Sequence, residues 1–410
     1  MSHVKNIVII GAGLSGDTAA TALRDAGFAG TLTLVGDEQH RPYDRPPLSK
    51  AALAAAAEAQ KVFFRPEAYY AEKNITLVLN DAAEKIDPAA HTVALKSGRT
   101  LSYDKLLIAT GTRARRLRML ENTGAPVFYL RSLDDCEALR PLLVSGARIA
   151  IIGAGVIGME VAASAIGLGC DVSVIEMADR VMARSVSPCV SRFIADYHAK
   201  KGVHVLTGAK ITGIVAKDGR AVISLDSGKV IEADAVIAGI GAEPATELAQ
   251  AAGLRVDDGI IVDRYTRTSD PDIHAAGDVA RFESVRHEKH VRTEHWRHAI
   301  DQAVAAVHVM LGGNDHYEER PWVWSDQYDL NIQITGEGNG DAEIVRGDMG
   351  AAAFIAFQFR GGKLIGAIAI NQPRFKKPIG DLVAAHATIA EEVLADPATD
   401  LKKLAAQIKA

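Results

Sequence analysis

The sequence is poor in cysteine, short of aromatic residues and without a long apolar run. Its three cysteines, Cys136, Cys170 and Cys189, are odd in number and show no CxxC or CxxxxC spacing. That excludes a disulfide framework and a cysteine-rich metal site, and it fits a reducing, cytoplasmic setting. No stretch of about eighteen apolar residues is present, which excludes a transmembrane helix. The opening "MSHVKNIVII" lacks the apolar core and cleavage site of a signal peptide. A basic excess is missing too: 46 Lys and Arg stand against 51 Asp and Glu, a net charge of −5, so no nucleic-acid partner is expected. Four histidines crowd into "HEKHVRTEHWRH" (His287, His290, His295, His298), but no cysteine joins them, and no metal site is assigned. What remains is an ordinary globular composition, 48% hydrophobic over 410 residues, enough for two or three domains.

Glycine is where the pattern lies. "KNIVIIGAGLSGDTAATALRDAG" reads as a doubly buried strand, a turn and a helix, with Gly11, Gly13 and Gly16 at the helix start. The first glycine permits the tight turn, the second lets a pyrophosphate approach the backbone at the helix N-terminus, and the third lets helix and strand pack closely. Leu14 stands beside the middle glycine. The next strand, "TLTLVGDE", ends in Asp37 and Glu38, either placed to accept a hydrogen bond from an adenosine ribose. The device recurs in "ARIAIIGAGVIGMEVAASAIGLGCDVSVIE", with Gly153, Gly155, Val156 and Gly158 and a terminal Glu176. One such motif is weak evidence; two, each with strand, helix and terminal acid, predict two dinucleotide sites and electron traffic between two cofactors. Glu176 favours the free 2′-hydroxyl of NADH over the 2′-phosphate of NADPH, with Arg180 and Arg184 nearby in sequence pulling the other way.

Two further segments read as strands that return the chain between units. "LLIATG" ends in Thr110 and Gly111, and "VIAGIG" carries Gly239 and Gly241. Each is either a bare glycine turn or a backbone turn beside a nucleotide. In "HAAGDVAR", Asp278 reads on its own as a helix cap, or as a partner for a polyol hydroxyl.

Taken in order, these motifs resemble the pyridine-nucleotide disulfide oxidoreductase superfamily. Within it, "RPYDRPPLSK", "PWVWSDQY" and "LADPATDLKKLAA" are similar to NADH-dependent ferredoxin reductases of bacterial aromatic-ring dioxygenase and P450 systems, the biphenyl-type reductases among them. The resemblance implies an α/β, glutathione-reductase-like fold: two Rossmann-like domains, for FAD and NAD, and a C-terminal α+β domain. The implied boundaries are 1–111 and 239–320 for the FAD domain, 112–238 for the inserted NAD domain and 321–410 for the last. Relatives that use a dithiol need a CxxxxC pair beside the flavin in the early helix. This chain has no cysteine before Cys136, so electrons must leave by another route.

The resemblance also implies roles for single residues. Pro46 and Pro47 fix an extended turn before the alanine-rich run Ala51 to Ala59, which begins like a helix. Arg45 falls to the FAD pyrophosphate or adenosine side. Lys50 matches the lysine near flavin N5, and Glu160 the glutamate near the nicotinamide, so a Lys50–Glu160 pair is inferred. By itself Lys50 reads as a solvated lysine at a helix start. Ala83, Arg131, Asp278 and Trp296 match FAD-contacting positions. Trp324, two residues from Trp322, reads either as core or as an electron exit. Arg292, Arg297, Arg374, Lys376 and Lys377 are candidates for a basic docking patch, or ordinary solvated charges.

The expected activity is that of an NADH:ferredoxin oxidoreductase: hydride from NADH onto FAD, then single electrons to a [2Fe–2S] ferredoxin that serves a terminal oxygenase. A monomer or homodimer in the cytoplasm is expected. The alternatives are an NADH-dependent reductase of rubredoxin, a quinone or another small acceptor, and a redox-sensing flavoprotein acting through partner binding.

Overall fold

A computed structural model describes residues 4–409. Strand β1 (Asn6–Ile10) leads into helix α1 (Leu14–Asp25) and strand β2 (Thr31–Val35). The one-turn helix α2 (Ala51–Ala54) and strands β3 (Thr76–Val78) and β4 (Lys105–Ile108) follow. A second series begins at β5 (Val127–Phe128) and continues through β6 (Arg148–Ile152), α3 (Val156–Gly167) and β7 (Asp171–Ile175). It ends with α4 (Pro188–Lys200), β8 (His204–Leu206) and β9 (Ala235–Ala238). Next come β10 (Ile273–Ala275) and α5 (Trp296–Met310). The last part holds β11 (Trp322–Gln327), β12 (Leu330–Gly336), β13 (Ala342–Asp348), β14 (Ala353–Arg360), β15 (Lys363–Ile370) and helix α6 (Lys376–Ala384).

The chain divides into two compact units. One holds residues 4–44, 62–113 and 242–320; the other holds 45–61, 114–241 and 321–409. The first unit is built on a five-stranded parallel sheet in the order β10-β4-β1-β2-β3. Its central strands β1 and β4 carry the unbroken apolar runs 7–10 and 106–108 because both faces are covered. On one face, α1 lies against α5. Ala19, Ala20 and Leu23 meet Ala303, Ala306, Val307 and Met310 in one buried cluster, and the alanines let the two helices approach.

The second unit repeats the plan with a parallel sheet ordered β8-β7-β6-β9-β5. In both sheets the strand that returns from later in the chain, β4 or β9, pairs with the strand that feeds the glycine turn, β1 or β6. Each glycine turn therefore opens at the carboxyl edge of its sheet, where open α/β folds bind ligands. The second unit also carries an antiparallel sheet ordered β11-β12-β15-β14-β13. Helix α6 seats Ile379, Leu382 and Val383 against Ile355, Phe357, Ala367 and Ala369 of that sheet. The architecture is thus α/β with two Rossmann-like parallel sheets, each backed on one face by a three-stranded antiparallel sheet, and a C-terminal α+β portion.

The alanine-rich run departs from the expectation of one helix. Ala51–Ala54 and Ala56–Ala59 are separate single turns, with Ala55 extended at φ −147° and ψ 133°. The Arg140 guanidinium donates to the Ala52 carbonyl from both Nε (3.1 Å) and Nη2 (2.9 Å). That carbonyl is turned to arginine instead of continuing the helical ladder.

Candidate functional site

In the first unit the glycine turn after β1 is closed on two sides and open on the third. Gly11 has φ 110°, a left-handed value that a side chain adopts only with strain. A methyl group there would strike the Ala109 carbonyl, and one on Gly16 would strike the Gly11 carbonyl. Gly13, by contrast, has nothing within 4 Å of a built Cβ. The open side is where an anion can approach the helix N-terminus that begins at Leu14. Ala109 belongs to the "ATG" strand end. Beyond it, Thr110 Oγ1 donates to the Ala245 carbonyl (2.8 Å), and the Gly111 carbonyl accepts from Ala245 N (3.0 Å).

The "AGD" turn joins the same place. Gly277 N donates to Gln302 Oε1 at 2.8 Å, and a methyl group on Gly277 would collide with Ser15 Oγ in the first turn of α1. Asp278 is thereby held beside the glycine loop, its own carbonyl accepting from Arg292 at 3.3 Å. Trp296 opens α5, and its indole N–H donates to Asp44 Oδ1 at 3.0 Å. Past β2, Asp37 is exposed and Glu38 accepts from the Tyr43 hydroxyl at 2.5 Å. Ala83 begins a strand of a small antiparallel sheet.

The second unit repeats the cradle. Gly153 has φ 99°, and a methyl group there would meet the Gly239 carbonyl; one on Gly158 would strike the Gly153 carbonyl. Gly155 is open, and α3 begins at Val156. Glu176, just past β7, accepts from Ala154 N (2.6 Å) and Ala178 N (2.8 Å). The carboxylate is thus fixed against the glycine loop. Arg180 is not free to offset it: its guanidinium donates to the carbonyls of Val186 (2.7 Å) and Ala183 (2.8 Å) and to Asn339 Oδ1 (3.0 Å). Gly241 has φ 109° and lies next to Arg184.

The same unit brings Lys50 and Glu160 together. Pro46–Ser49 forms a 3₁₀ turn, held by a hydrogen bond from Ser164 Oγ to the Ser49 carbonyl (2.8 Å). That turn delivers Lys50 Nζ to 3.0 Å from Glu160 Oε1. Lys50 also donates to the Pro46 carbonyl at 3.1 Å. Glu160 is 2% exposed, and its carboxylate accepts from Ser49 Oγ (2.5 Å) and Ser325 Oγ (2.7 Å). Burial pushes its carboxyl upward, opposed first by the Lys50 charge and then by the two serine donors. Ser49 and Ser325 were not singled out from sequence. Their signal was adjacency, since both lie inside "RPPLSK" and "PWVWSDQY". Arg45 and Arg131 also meet, Arg45 Nη1 donating to the Arg131 carbonyl at 2.6 Å.

Trp322 and Trp324 stack at 5.1 Å with 13° between planes, and Lys50 Nζ stands 6.0 Å from the Trp324 ring centroid. Of the proposed basic residues, Arg292 pairs with Glu294 (2.6 Å), Arg297 with Asp301 (2.7 Å) and Lys377 with Asp381 (2.8 Å). Arg374 lies over Phe375. Among the described residues, no three His, Cys, Asp or Glu side chains are grouped to hold a metal ion. His298 is buried instead against the Tyr317 hydroxyl at 2.6 Å, and burial pushes it down to about 3. No helix among the described residues is long and apolar enough to cross a membrane.

Comparison with known proteins now decides the lineage. The pyridine nucleotide-disulphide oxidoreductase profile matches residues 5–303, and the reductase C-terminal profile matches residues 322–405. The chain belongs to the pyridine nucleotide-disulphide oxidoreductase family. It is 40% identical to rhodocoxin reductase of Rhodococcus erythropolis, over 98% of this chain and 95% of that one. It is 41% identical to the anthranilate 1,2-dioxygenase system ferredoxin–NAD(+) reductase component of Burkholderia cepacia, over 96% and 98% of the two chains. The fold is similar to the crystal structure of the covalent putidaredoxin reductase–putidaredoxin complex, with a TM-score of 0.94 and 36% identity over 99% of each chain.

Both cradles suit the dinucleotides of this oxidoreductase family. Each turn is filled by backbone where the first and third glycines stand and is vacant at the middle glycine. A helix N-terminus supplies unsatisfied N–H groups there.

Proposed function

We propose that the protein is an NADH:ferredoxin oxidoreductase that takes hydride from NADH and delivers single electrons to a [2Fe–2S] ferredoxin serving an oxygenase. The observation that carries this reading is the pair of glycine cradles in a chain whose full-length relatives are named ferredoxin–NAD(+) reductase components. The reading assigns residues 1–111 and 239–320 to FAD, 112–238 to NAD and 321–410 to the C-terminal domain. Bound FAD supplies the acceptor for the NADH hydride and the source of single electrons.

The residues do the rest. Gly11, Gly13 and Gly16, with the first turn of α1, hold the FAD pyrophosphate; Asp278, Thr110, Gly111, Ala83 and the Trp296 backbone line the remainder of that cofactor. Arg45 serves its pyrophosphate or adenosine side, Arg131 contacts it, and Glu38 or Asp37 serves its ribose. Gly153, Gly155 and Gly158 hold the NADH pyrophosphate, with Gly239 and Gly241 behind them. Glu176 rejects a 2′-phosphate by charge. Lys50 places a cation for negative charge that develops on the flavin side. Glu160 orients the nicotinamide end while balancing Lys50. Trp324 offers the route out. The absence of a membrane-spanning helix among the described residues and three unpaired cysteines support a cytoplasmic site of action.

Stopped-flow mixing of the FAD-loaded protein with NADH tests this. Flavin bleaching, followed by fast reoxidation with a [2Fe–2S] ferredoxin, is expected. Reoxidation that is faster with a quinone or a rubredoxin would replace the ferredoxin assignment. A protein that NADH leaves oxidised would end it.

A further inference from the structure

Strand β11 alternates in an unusual way. Trp322 and Trp324 point to one face, while Ser325 and Gln327 point to the other and have no exposed surface. A buried glutamine on a strand is costly unless its amide is satisfied on both sides. Here it is. Gln327 Nε2 donates to Ser325 Oγ at 3.0 Å, and Gln327 Oε1 lies 2.9 Å from His198 Nε2 on α4. His198 Nδ1 lies 3.1 Å from the Tyr328 hydroxyl. His198, like Gln327, has no exposed surface.

The Gln327 amide, turned with its nitrogen toward Ser325 and Met182 and its oxygen toward His198, sets the direction of this chain. The glutamine nitrogen can only donate, so Ser325 Oγ accepts there and spends its single proton on Glu160. The glutamine oxygen can only accept, so the His198 proton resides on Nε2, leaving Nδ1 to accept from Tyr328. Every donor then points the same way: Tyr328 to His198, His198 to Gln327, Gln327 to Ser325, Ser325 to Glu160. We propose that His198 is a positioning residue for Glu160: its neutral Nε2–H form, acting through Gln327 and Ser325, keeps the Glu160 carboxylate ionised and aimed. The role toward the nicotinamide rests on the proposed function above; the chain itself does not.

The surroundings agree. Burial pushes His198 down to about 4, which keeps the ring neutral at working pH. Around Glu160 stand Lys50 and Ser49 from the 45–61 segment and Ser325 from β11. Around His198 and Tyr328 stand Gln327, the Met182 thioether 3.7 Å from the Gln327 amide nitrogen, and Lys201, whose Nζ lies 5.4 Å from the Tyr328 ring centroid. Lys201 is itself paired with Asp329 at 3.5 Å, and Asp329 accepts from Tyr197 at 2.5 Å.

Two variants test the chain in the FAD-loaded protein. Ser325→Ala deletes the last link. Gln327→Glu is nearly isosteric and puts an acceptor where a donor stood, which draws the Ser325 proton away from Glu160. Infrared titration with ¹³C-labelled glutamate, the band assigned by its loss in Glu160→Gln, reads the carboxyl directly. In both variants the Glu160 midpoint should move up by about one pH unit, a roughly tenfold loss of ionised fraction on the limb. Nitrogen NMR of the labelled histidines should show His198 as the neutral Nε2–H tautomer from about pH 5 to about pH 8. The acid limb of NADH affinity should shift with the infrared midpoint. An Nδ1–H or cationic His198, or an unmoved Glu160 midpoint in both variants, would overturn the proposal. If NADH fails to reduce wild-type flavin, the nicotinamide role falls, and the infrared midpoint still decides the chain.

Discussion

The Lys376 ammonium stands 3.1 Å from the centroid of the Trp322 ring. Trp322 in turn lies face to face with Trp324, and Trp324 neighbours Lys50. The candidate docking lysine on helix α6 is therefore already engaged with the aromatic pair. Such a contact at an exposed position is worth about 0.5–1 kcal/mol. Lys376→Ala should loosen Trp322 and red-shift tryptophan emission. It should lower ferredoxin-dependent turnover severalfold at low salt, with the loss fading as salt rises. NADH–ferricyanide activity should stay unchanged. A variant that loses both activities equally would place Lys376 in folding rather than in docking.

The open glycine and the two closed ones predict opposite outcomes in the second cradle. Gly158→Ala drives a methyl group into the Gly153 carbonyl, so α3 must move off β6. Overpacking of this kind costs roughly 1–3 kcal/mol. Gly155→Ala meets nothing and should leave the melting temperature of the protein where it is. NADH affinity should still fall about tenfold or more, because the methyl group occupies the side from which a pyrophosphate approaches. Melting curves and NADH titration on the same samples separate the two. A Gly155→Ala protein that binds NADH normally would remove the pyrophosphate from that loop.

Much of this was legible because the chemistry is local. A glycine turn, its strand and its terminal acid lie within one stretch of about thirty residues, so both cradles could be read from spacing, while the full fold class came through the family resemblance. The Lys50–Glu160 pair spans 110 positions and was accessible only through family resemblance. The chain through Ser325, Gln327 and His198 was not readable at all. Its members look like ordinary polar residues until strand β11 and helix α4 fix which face each one takes. Lys376 and Arg180 show the same limit from the other side. Sequence presents them as free charges, and tertiary structure spends them on Trp322 and on the loop around Val186.

Glu176 and Arg180 together bear on coenzyme choice. The carboxylate is pinned to Ala154 N and Ala178 N, and the nearest candidate cation in sequence is bound to backbone carbonyls and Asn339. Glu176→Ser removes the repulsion without adding a cation. The ratio of kcat/KM for NADPH over NADH should rise about tenfold, equivalent to about 1.4 kcal/mol. The gain should come mostly through KM. An unchanged ratio, measured by steady-state ferricyanide reduction, would mean that Glu176 does not face the ribose.

Lys50 and Glu160 also set a pH dependence. The Glu160 carboxyl is held above its ordinary value of 4.5, with burial the larger cause and the Lys50 charge the main opposing one. Between the unfolded value and the raised folded value, the native state carries the extra proton, so stability falls as pH rises through that window. Lys50→Met removes the opposing charge and pushes the folded value higher. The variant should match the wild type most closely in acid, where Glu160 is protonated in both. It should then lose ground by up to about 1.4 kcal/mol for each further pH unit until its own carboxyl ionises. The loss is bounded by the roughly 3–5 kcal/mol that follows the breaking of a buried pair. Adding Glu160→Gln should flatten the extra slope, because no proton is left to differ between the two states. Denaturant unfolding across a pH series reads this directly, and a penalty for Lys50→Met that is the same at every pH would show that Lys50 stabilises the protein through its packing and not through Glu160.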